Sequence, residues 1–137
     1  MTAAALSHTV TLSCQDDVAT ARRLARSIAL ELGFDAFAAT AVTTATSELA
    51  RNVVVHGGGG FMGVEMVRDA GRVGLALTFH DEGPGIENLE RALQGGYSTR
   101  RSLGLGLSGS RRLVDSFDID TAPGAGTRIR IVKWKRR

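Results

Sequence analysis

The spacing of apolar residues changes twice along this chain, and these changes limit the fold more than any other feature of the sequence. From residue 18 to residue 53 apolar side chains recur every three or four positions, which predicts two successive amphipathic helices. Over residues 62–66 and 73–79 they alternate, which predicts two strands joined by a turn at Asp69-Ala70-Gly71. Helical spacing returns from Leu105 to Phe117, and alternation returns at Ile129 and Ile131.

A short alternating stretch at His8–Ser13 adds a strand before the first helix, so the predicted order is β-α-α-β-β-loop-α-β-β. Gly33 is expected to end the first helix, and Asp35 is expected to cap the second. The 137 residues contain neither a repeat nor a linker, which predicts a single domain over residues 1–137. This order predicts an α/β two-layer sandwich in which helices cover one face of a mixed sheet.

Composition and charge argue against several classes of function. Seventeen basic and 14 acidic residues give a formal charge of +3, and the basic residues are scattered, so nucleic acid is not an expected partner. Met1 to Ser7 lacks the pattern of a signal peptide, and no run of 18 apolar residues occurs, so we expect a cytoplasmic protein that does not bind membranes. The single cysteine, Cys14, excludes an internal disulfide and is expected to be buried in the first strand.

Three polar side chains form a row along the second predicted helix. Glu48, Asn52 and His56 are four residues apart, so they lie on one face beside the apolar stripe. A carboxylate in this row can accept a proton, and an amide oxygen can bind a hard cation such as Mg²⁺. An ordinary solvated helix flank would show the same pattern, and a histidine at a helix end is more often a capping or packing residue.

Two glycine-containing segments follow the helices. Asp81-Glu82-Gly83-Pro84-Gly85 comes directly after an apolar strand, where a carboxylate can accept the exocyclic amine of adenine and glycines let the backbone pass close to the base. A plain turn is the alternative. Residues 103–109 open a helix, whose first amide groups and dipole favour a phosphate. This second segment matches neither a Walker A loop nor a Rossmann fingerprint.

In this order the three segments resemble the N, G1 and G2 boxes of the GHKL ATPase superfamily. Within it, the chain is most similar to the anti-sigma-factor kinases and their RsbT-like relatives. The similarity lies in the segments Ser47-Glu48-Leu49-Ala50-Arg51-Asn52, Asp81-Glu82-Gly83-Pro84-Gly85-Ile86, Gly96-Tyr97-Ser98-Thr99, Gly104-Leu105-Gly106-Leu107 and Gly124-Ala125-Gly126-Thr127. The resemblance implies the Bergerat ATP-binding fold, with ATP and Mg²⁺ as cofactors.

The resemblance also implies roles for single residues. Glu48 corresponds to the general base of a phosphoryl transfer, and Asn52 corresponds to the Mg²⁺ ligand. Asp81 corresponds to the residue that recognises adenine, and the Thr127 hydroxyl is implied to assist it.

Further residues are implied to surround the base and the phosphates. Gly83 and Gly85 of the G1 box would line the adenine pocket. The phosphates would be faced by Gly104, Leu105 and Gly106 of the G2 box. Residues 87–103 correspond to the ATP lid. This lid departs from the family pattern, because Arg100-Arg101-Ser102 stands where RsbT-like proteins tend to continue with glycines. Arg100 and Arg101 either bind the γ-phosphate, as guanidinium groups do bidentately, or are solvated lid residues.

The function implied by the resemblance is an ATP-dependent serine/threonine protein kinase that acts by partner switching in stress-response regulation. The implied substrate is a STAS-domain protein of the anti-sigma-antagonist type. A phosphatase or a sigma factor is the implied second partner, and a homodimer is a candidate assembly. Alternative functions are an anti-sigma factor that sequesters a sigma factor, a non-catalytic nucleotide-dependent binding module, and a simple ATPase.

Overall fold

A computed structural model describes residues 2–87 and 104–136. Within them the strands are β1 (Thr2–Leu12), β2 (Gly60–Asp69), β3 (Arg72–Asp81), β4 (Ser116–Thr121) and β5 (Thr127–Trp134). The helices are α1 (Gln15–Glu31), α2 (Ala36–Val55) and α3 (Gly104–Leu113). The predicted order of elements is confirmed, although residues 88–103 of the predicted loop, with its helical turn, lie outside the described part of the chain.

The five strands form one sheet in the order β1-β2-β3-β5-β4, and every pair of neighbours is antiparallel. The prediction of a mixed sheet is therefore wrong. Two successive helices connect β1 to β2, so the chain enters β2 at the end where it left β1 and the two strands run in opposite directions. β4 does run parallel to β3, but β5 lies between them and is antiparallel to both.

The helices pack on one face of this sheet and enclose the main core, which confirms the two-layer α/β architecture. The largest fully buried side chains come from the strands, α2 and α3, and include Phe79, Leu12, Leu49, Met62, Leu75, Leu77, Leu107 and Ile131. The buried sides of α1 and α2 are rich in alanine, with Ala21, Ala25 and Ala45 fully buried. Among the described helices, none is both long enough and apolar enough to cross a bilayer.

Local hydrogen bonds explain where α1 ends and α2 begins. The Asp35 carboxylate accepts a backbone N–H of the first turn of α2 at 2.8 Å, which confirms the predicted cap. α1 ends in a Schellman motif. In this motif the Gly33 N–H donates to Leu30 O and the Phe34 N–H donates to Ala29 O, both at 3.0 Å. The predicted stop at Gly33 is thus confirmed.

Two local predictions are wrong. α3 ends at Leu113, so Phe117 lies in β4 and not in the helix. The cause is Asp115, whose backbone N–H donates to β5 at 2.9 Å and whose carboxylate accepts a β5 N–H at 2.7 Å, so the chain joins the sheet directly after the helix. Cys14 is exposed at the N-cap of α1, because β1 already ends at Leu12.

Candidate functional site

A pocket of ≈ 150 Å³ lies between α2 and the ends of β3 and β5, beside α3. Its apolar walls come from Leu49, Val53, Phe79, Ile86, Leu107 and Ile129. Its polar side chains are Asn52, His56, Asp81 and Thr127. A cavity of roughly 150 Å³ is large enough for a planar aromatic ligand, so this space suits a nucleobase whose sugar and phosphates would extend beyond it.

The register between β3 and β5 brings Asp81 and Thr127 together, since the two residues are Cα partners at the end of that ladder. Asp81 is only 7% exposed, and its carboxylate accepts the Gly83 N–H at 2.9 Å. Burial raises the pKa of Asp81 above its ordinary value, against the opposing effects of the Gly83 N–H, the imidazole of His80 and the Thr127 backbone. This buried acceptor is placed to accept an amine hydrogen from a base in the pocket.

The hydroxyl of Thr121, at the end of β4, makes hydrogen bonds that connect Thr127 with Ile86, which follows β3. This hydroxyl donates to Gly126 O at 2.8 Å and accepts the Ile86 N–H at 3.0 Å. The hydroxyl oxygens of Thr121 and Thr127 are 3.0 Å apart. The sequence did not predict Thr121, because it belongs to no motif and its partners Ile86 and Thr127 come from other parts of the chain.

Two close backbone approaches shape the polar corner of the pocket. A methyl group at Gly57, just beyond α2, would overlap the Asp81 carboxylate, so glycine is required where the helix end meets the strand end. Gly85 lines the pocket at φ +76°, and a methyl group there would overlap Ala122 O. The Gly83 backbone lies against Gly57 and not in the pocket wall.

Of the predicted row on α2, Asn52 lines the pocket and Glu48 does not. Within residues 2–87 and 104–136, Asn52 Nδ2 is buried without a hydrogen-bond partner. Because rotation of an amide exchanges its oxygen and nitrogen, this side chain can offer either atom to a ligand. Glu48 lies one turn earlier with its side chain 35% exposed, and its carboxylate is 3.2 Å from the Arg51 guanidinium.

His56 contributes to the pocket, although the sequence pattern favoured a capping or packing role. It is the C-cap residue of α2, and its side chain also lines the cavity. Burial lowers the pKa of His56, so the ring is neutral at neutral pH and adds no positive charge beside Asp81. Its spacing of four residues from Asn52 was the signal for this position.

The glycine-rich segment opens a helix as predicted, since Gly104, Leu105 and Gly106 form the first turn of α3. Their contact with phosphates stays a prediction. Arg100 and Arg101 lie outside the described residues, as does the Gly96–Thr99 segment.

The polar groups of the pocket fit an adenine nucleotide. A buried acceptor, a buried amide that is unpaired among the described residues and a tight backbone corner converge on one base-sized space. Mg²⁺ takes most of its ligands from phosphates and water, so a single amide oxygen from Asn52 is compatible with such a site. In the described part of the chain, no group of three or more His, Cys, Asp or Glu side chains is arranged to hold a metal.

This combination of an antiparallel α/β sandwich and a base pocket beside α2 defines a class of nucleotide-binding proteins. Residues 12–133 match the histidine kinase-like ATPase domain family, and the chain belongs to that family.

Two groups of relatives indicate a narrower class of protein within this family. The serine/threonine-protein kinase RsbT of Bacillus subtilis is 43% identical over 120 residues, which are 88% of this chain and 90% of RsbT. An anti-sigma F factor of Thermoanaerobacter sp. (strain X514) is 32% identical over 98 residues, 68% of this chain and 68% of that protein. The RsbT-like resemblance predicted from the motifs is therefore confirmed.

Two solved structures share the fold at low sequence identity. The RsbU and RsbW domains of a Mycobacterium tuberculosis protein align with a TM-score of 0.61 and 21% identity, over 96% of this chain and 33% of that one. The SiaB–SiaC complex of Pseudomonas aeruginosa aligns with a TM-score of 0.54 and 14% identity, over 95% of this chain and 89% of that one. These likenesses confirm the two-layer fold.

Proposed function

We propose that this chain is an ATP-dependent serine/threonine kinase that regulates a partner protein by phosphorylating it. The observation that carries the proposal is the pocket that joins Asn52 and Asp81, with Glu48 one helical turn away. The 43% identity with RsbT over most of both chains supports this activity. The fold alone would not separate a kinase from other nucleotide-binding proteins.

Nucleotide binding would use the two ends of the pocket differently. The Asp81 carboxylate would accept the amine of the base, and the amide of Asn52 would lie toward the phosphates. Bound Mg²⁺ would neutralise phosphate charge, and Asn52 is the described residue that would hold it.

Glu48 would act as the general base. Its side chain is 35% exposed, so a serine or threonine hydroxyl on a partner can reach it from solvent. Glu48 would accept the hydroxyl proton as that oxygen attacks the γ-phosphorus, the bond from the γ-phosphorus to the bridging oxygen breaks and ADP leaves. Arg51, 3.2 Å away, would hold the carboxylate in one orientation beforehand. Most of the rate enhancement would come from positioning and charge neutralisation, because phosphoryl transfer requires little covalent chemistry from the protein.

The proposed substrate is a STAS-domain protein of the anti-sigma-antagonist type in the cytoplasm. Phosphorylation adds about two negative charges to the acceptor. Those charges would face the carboxylate of Glu48, so like-charge repulsion would favour release of the product. The freed kinase could then bind a second partner, such as a phosphatase or a sigma factor.

The test is transfer of radiolabelled γ-phosphate from Mg·ATP to a purified STAS-domain protein. We expect label on the acceptor, and no label on a matched acceptor whose serine or threonine is replaced by alanine or valine. Release of labelled phosphate without an acceptor would instead identify an ATPase. ATP binding without turnover in either assay would identify a binding module and contradict the proposal.

The 32% identity with an anti-sigma F factor favours a second candidate function, the sequestration of a sigma factor. Co-purification of a sigma factor with the chain, dependent on added adenine nucleotide, would support this function. Absence of such a complex together with phosphate transfer would leave the kinase as the principal activity.

A further inference from the structure

The hydrogen bonds of Thr121 determine which atom of Thr127 is free to face the base. A hydroxyl group has one proton and two lone pairs. The contact with Gly126 uses the Thr121 proton, because a carbonyl oxygen can only accept. The contact with Ile86 uses one Thr121 lone pair, because a backbone N–H can only donate.

The contact between the two hydroxyl groups must therefore run in one direction. For its contact with the Thr127 oxygen, 3.0 Å away, the Thr121 hydroxyl has only its second lone pair available. Thr127 must donate its proton to Thr121, and the Thr127 oxygen then retains two lone pairs and no proton for any other partner.

We propose that Thr121 is a positioning residue that fixes the Thr127 hydroxyl as a hydrogen-bond acceptor, so that the pocket selects purines with a 6-amino group over 6-oxo purines. This inference rests on the proposed function, because it concerns the base of the nucleotide that the kinase would use. It adds to that function the residue that determines whether the Thr127 hydroxyl donates or accepts a hydrogen bond in the pocket.

The polar corner of the pocket then contains two acceptors side by side. Asp81 and Thr127 are Cα partners on neighbouring strands, and both line the cavity. A 6-amino group brings two hydrogens to such a corner. A 6-oxo group brings lone pairs instead, and with Asp81 ionised neither side chain has a proton to offer it, so the 6-oxo group loses its water hydrogen bonds without replacement.

The first experiment uses the unmodified chain and three Mg²⁺-bound nucleotides. Calorimetry would compare ATP, purine riboside 5′-triphosphate, which has only hydrogen at position 6, and inosine 5′-triphosphate, which has an oxygen there. We expect ATP to bind most tightly and the inosine nucleotide to bind about fivefold more weakly than the purine riboside nucleotide. If the inosine nucleotide binds as tightly as the purine riboside nucleotide or more tightly, the pocket does not disfavour a 6-oxo group and the proposal is overturned.

The second experiment changes the positioning residue. Thr121→Val keeps the shape of the side chain but removes its acceptor, so the Thr127 proton becomes free to turn toward a 6-oxo group. We expect the ratio of the inosine nucleotide Kd to the ATP Kd to fall about fivefold. Thr121→Ser, which keeps the hydroxyl, should retain the wild-type ratio. Thr121→Val combined with Thr127→Val should lose the gain, because the freed hydroxyl is gone.

A purely structural role for Thr121 would give a different result. Loosening of the β4–β5 hairpin would weaken both nucleotides in proportion and leave the ratio of the two Kd values unchanged, which would overturn the proposal. If Thr121→Val does not fold, the comparison of three nucleotides on the unmodified chain decides. Failure of the wild-type chain to bind ATP would defeat the proposed function itself, whereas ATP binding without 6-amino selectivity would defeat this inference alone.

Discussion

The two polar regions of the pocket are built differently. At the strand ends, Asp81 and Thr127 are held by ladder register, and Thr121 uses all three of its hydrogen-bonding positions. On α2, the amide of Asn52 has a buried nitrogen without a partner in the described part of the chain, and Glu48 pairs with the exposed Arg51. Contacts within the chain therefore hold the strand-end groups in place, whereas the groups on α2 are held by fewer contacts in the described part of the chain.

In the proposed function, this difference separates recognition of the base from the reaction at the phosphate. A base-reading corner must present the same acceptors before and after each turnover, and hydrogen bonds within the sheet provide that. A catalytic row must meet phosphates and an incoming hydroxyl, so unsatisfied groups and an exposed carboxylate are needed there. Changes on α2 should therefore alter turnover or Mg²⁺ dependence, and changes at the strand ends should alter binding and stability.

The largest effect should come from Glu48→Gln. Loss of the general base should lower the rate of phosphate transfer by roughly 10²–10⁴, while the Kd for Mg·ATP measured by calorimetry stays close to wild type. Glu82→Gln is a matched control, because this carboxylate is 90% exposed and does not line the pocket. Equal rates for Glu48→Gln and wild type would remove Glu48 from the mechanism.

Gly57→Ala should show that the strand-end region depends on close contact with α2. The added methyl group would displace the Asp81 carboxylate, and forced overpacking of this kind costs about 1–3 kcal/mol of stability. Urea unfolding would measure the loss, and ATP binding should weaken with it. Gly63→Ala, where a methyl group meets no atom within 4 Å, is the control. A wild-type unfolding midpoint for Gly57→Ala would refute the close contact.

Asn52→Ala should act through the metal. We expect the Kd for Mg·ATP to rise about tenfold, since one polar contact to the bound complex is lost. ATP binding measured with the metal chelated should change much less. An equal loss with and without Mg²⁺ would assign Asn52 to the nucleotide instead of the cation.

The smallest effect concerns the stability of the nucleotide-free chain. The raised pKa of Asp81 means that the folded state binds this proton more tightly than the unfolded state does. The stability from this group is present below the ordinary value of 3.8 and is lost as the pH rises through the folded-state pKa. Asp81→Asn should therefore stabilise the nucleotide-free chain slightly at pH 7, by less than Gly57→Ala destabilises it.

Urea unfolding at several pH values would test the Asp81 prediction. The difference between Asp81→Asn and wild type should shrink toward low pH, where the wild-type carboxyl is protonated in both states. Asp120→Asn, an exposed position on β4, is the matched control. A pH-independent difference would show that burial of the charge is not its cause.

Sequence patterns predicted the elements and their order because apolar spacing depends on local geometry. They predicted Asp35 and Gly33 as helix ends for the same reason, since caps involve neighbouring residues. They missed the antiparallel sheet, which depends on the number of helices between strands. They also placed Phe117 in a helix, because spacing alone does not show that Asp115 hydrogen-bonds to β5.

The residues of the candidate site also divide into those that the sequence predicted and those that it did not. Asn52 and Asp81 belong to short motifs, and the structure places both in the pocket. Gly57 and Thr121 belong to no motif, because their importance comes from a contact across α2 and β3 and from a contact across β4 and β5. Such long-range contacts are not visible in the spacing of one sequence.

The pocket wall includes Ile86 and Leu107, which stand on either side of residues 88–103. A molecule that fills the pocket thus touches the chain shortly before and shortly after that stretch. Any coupling between the pocket and another binding site on the chain must be reciprocal. A partner protein that changes the affinity of the pocket for a nucleotide would have its own affinity changed by that nucleotide by the same factor.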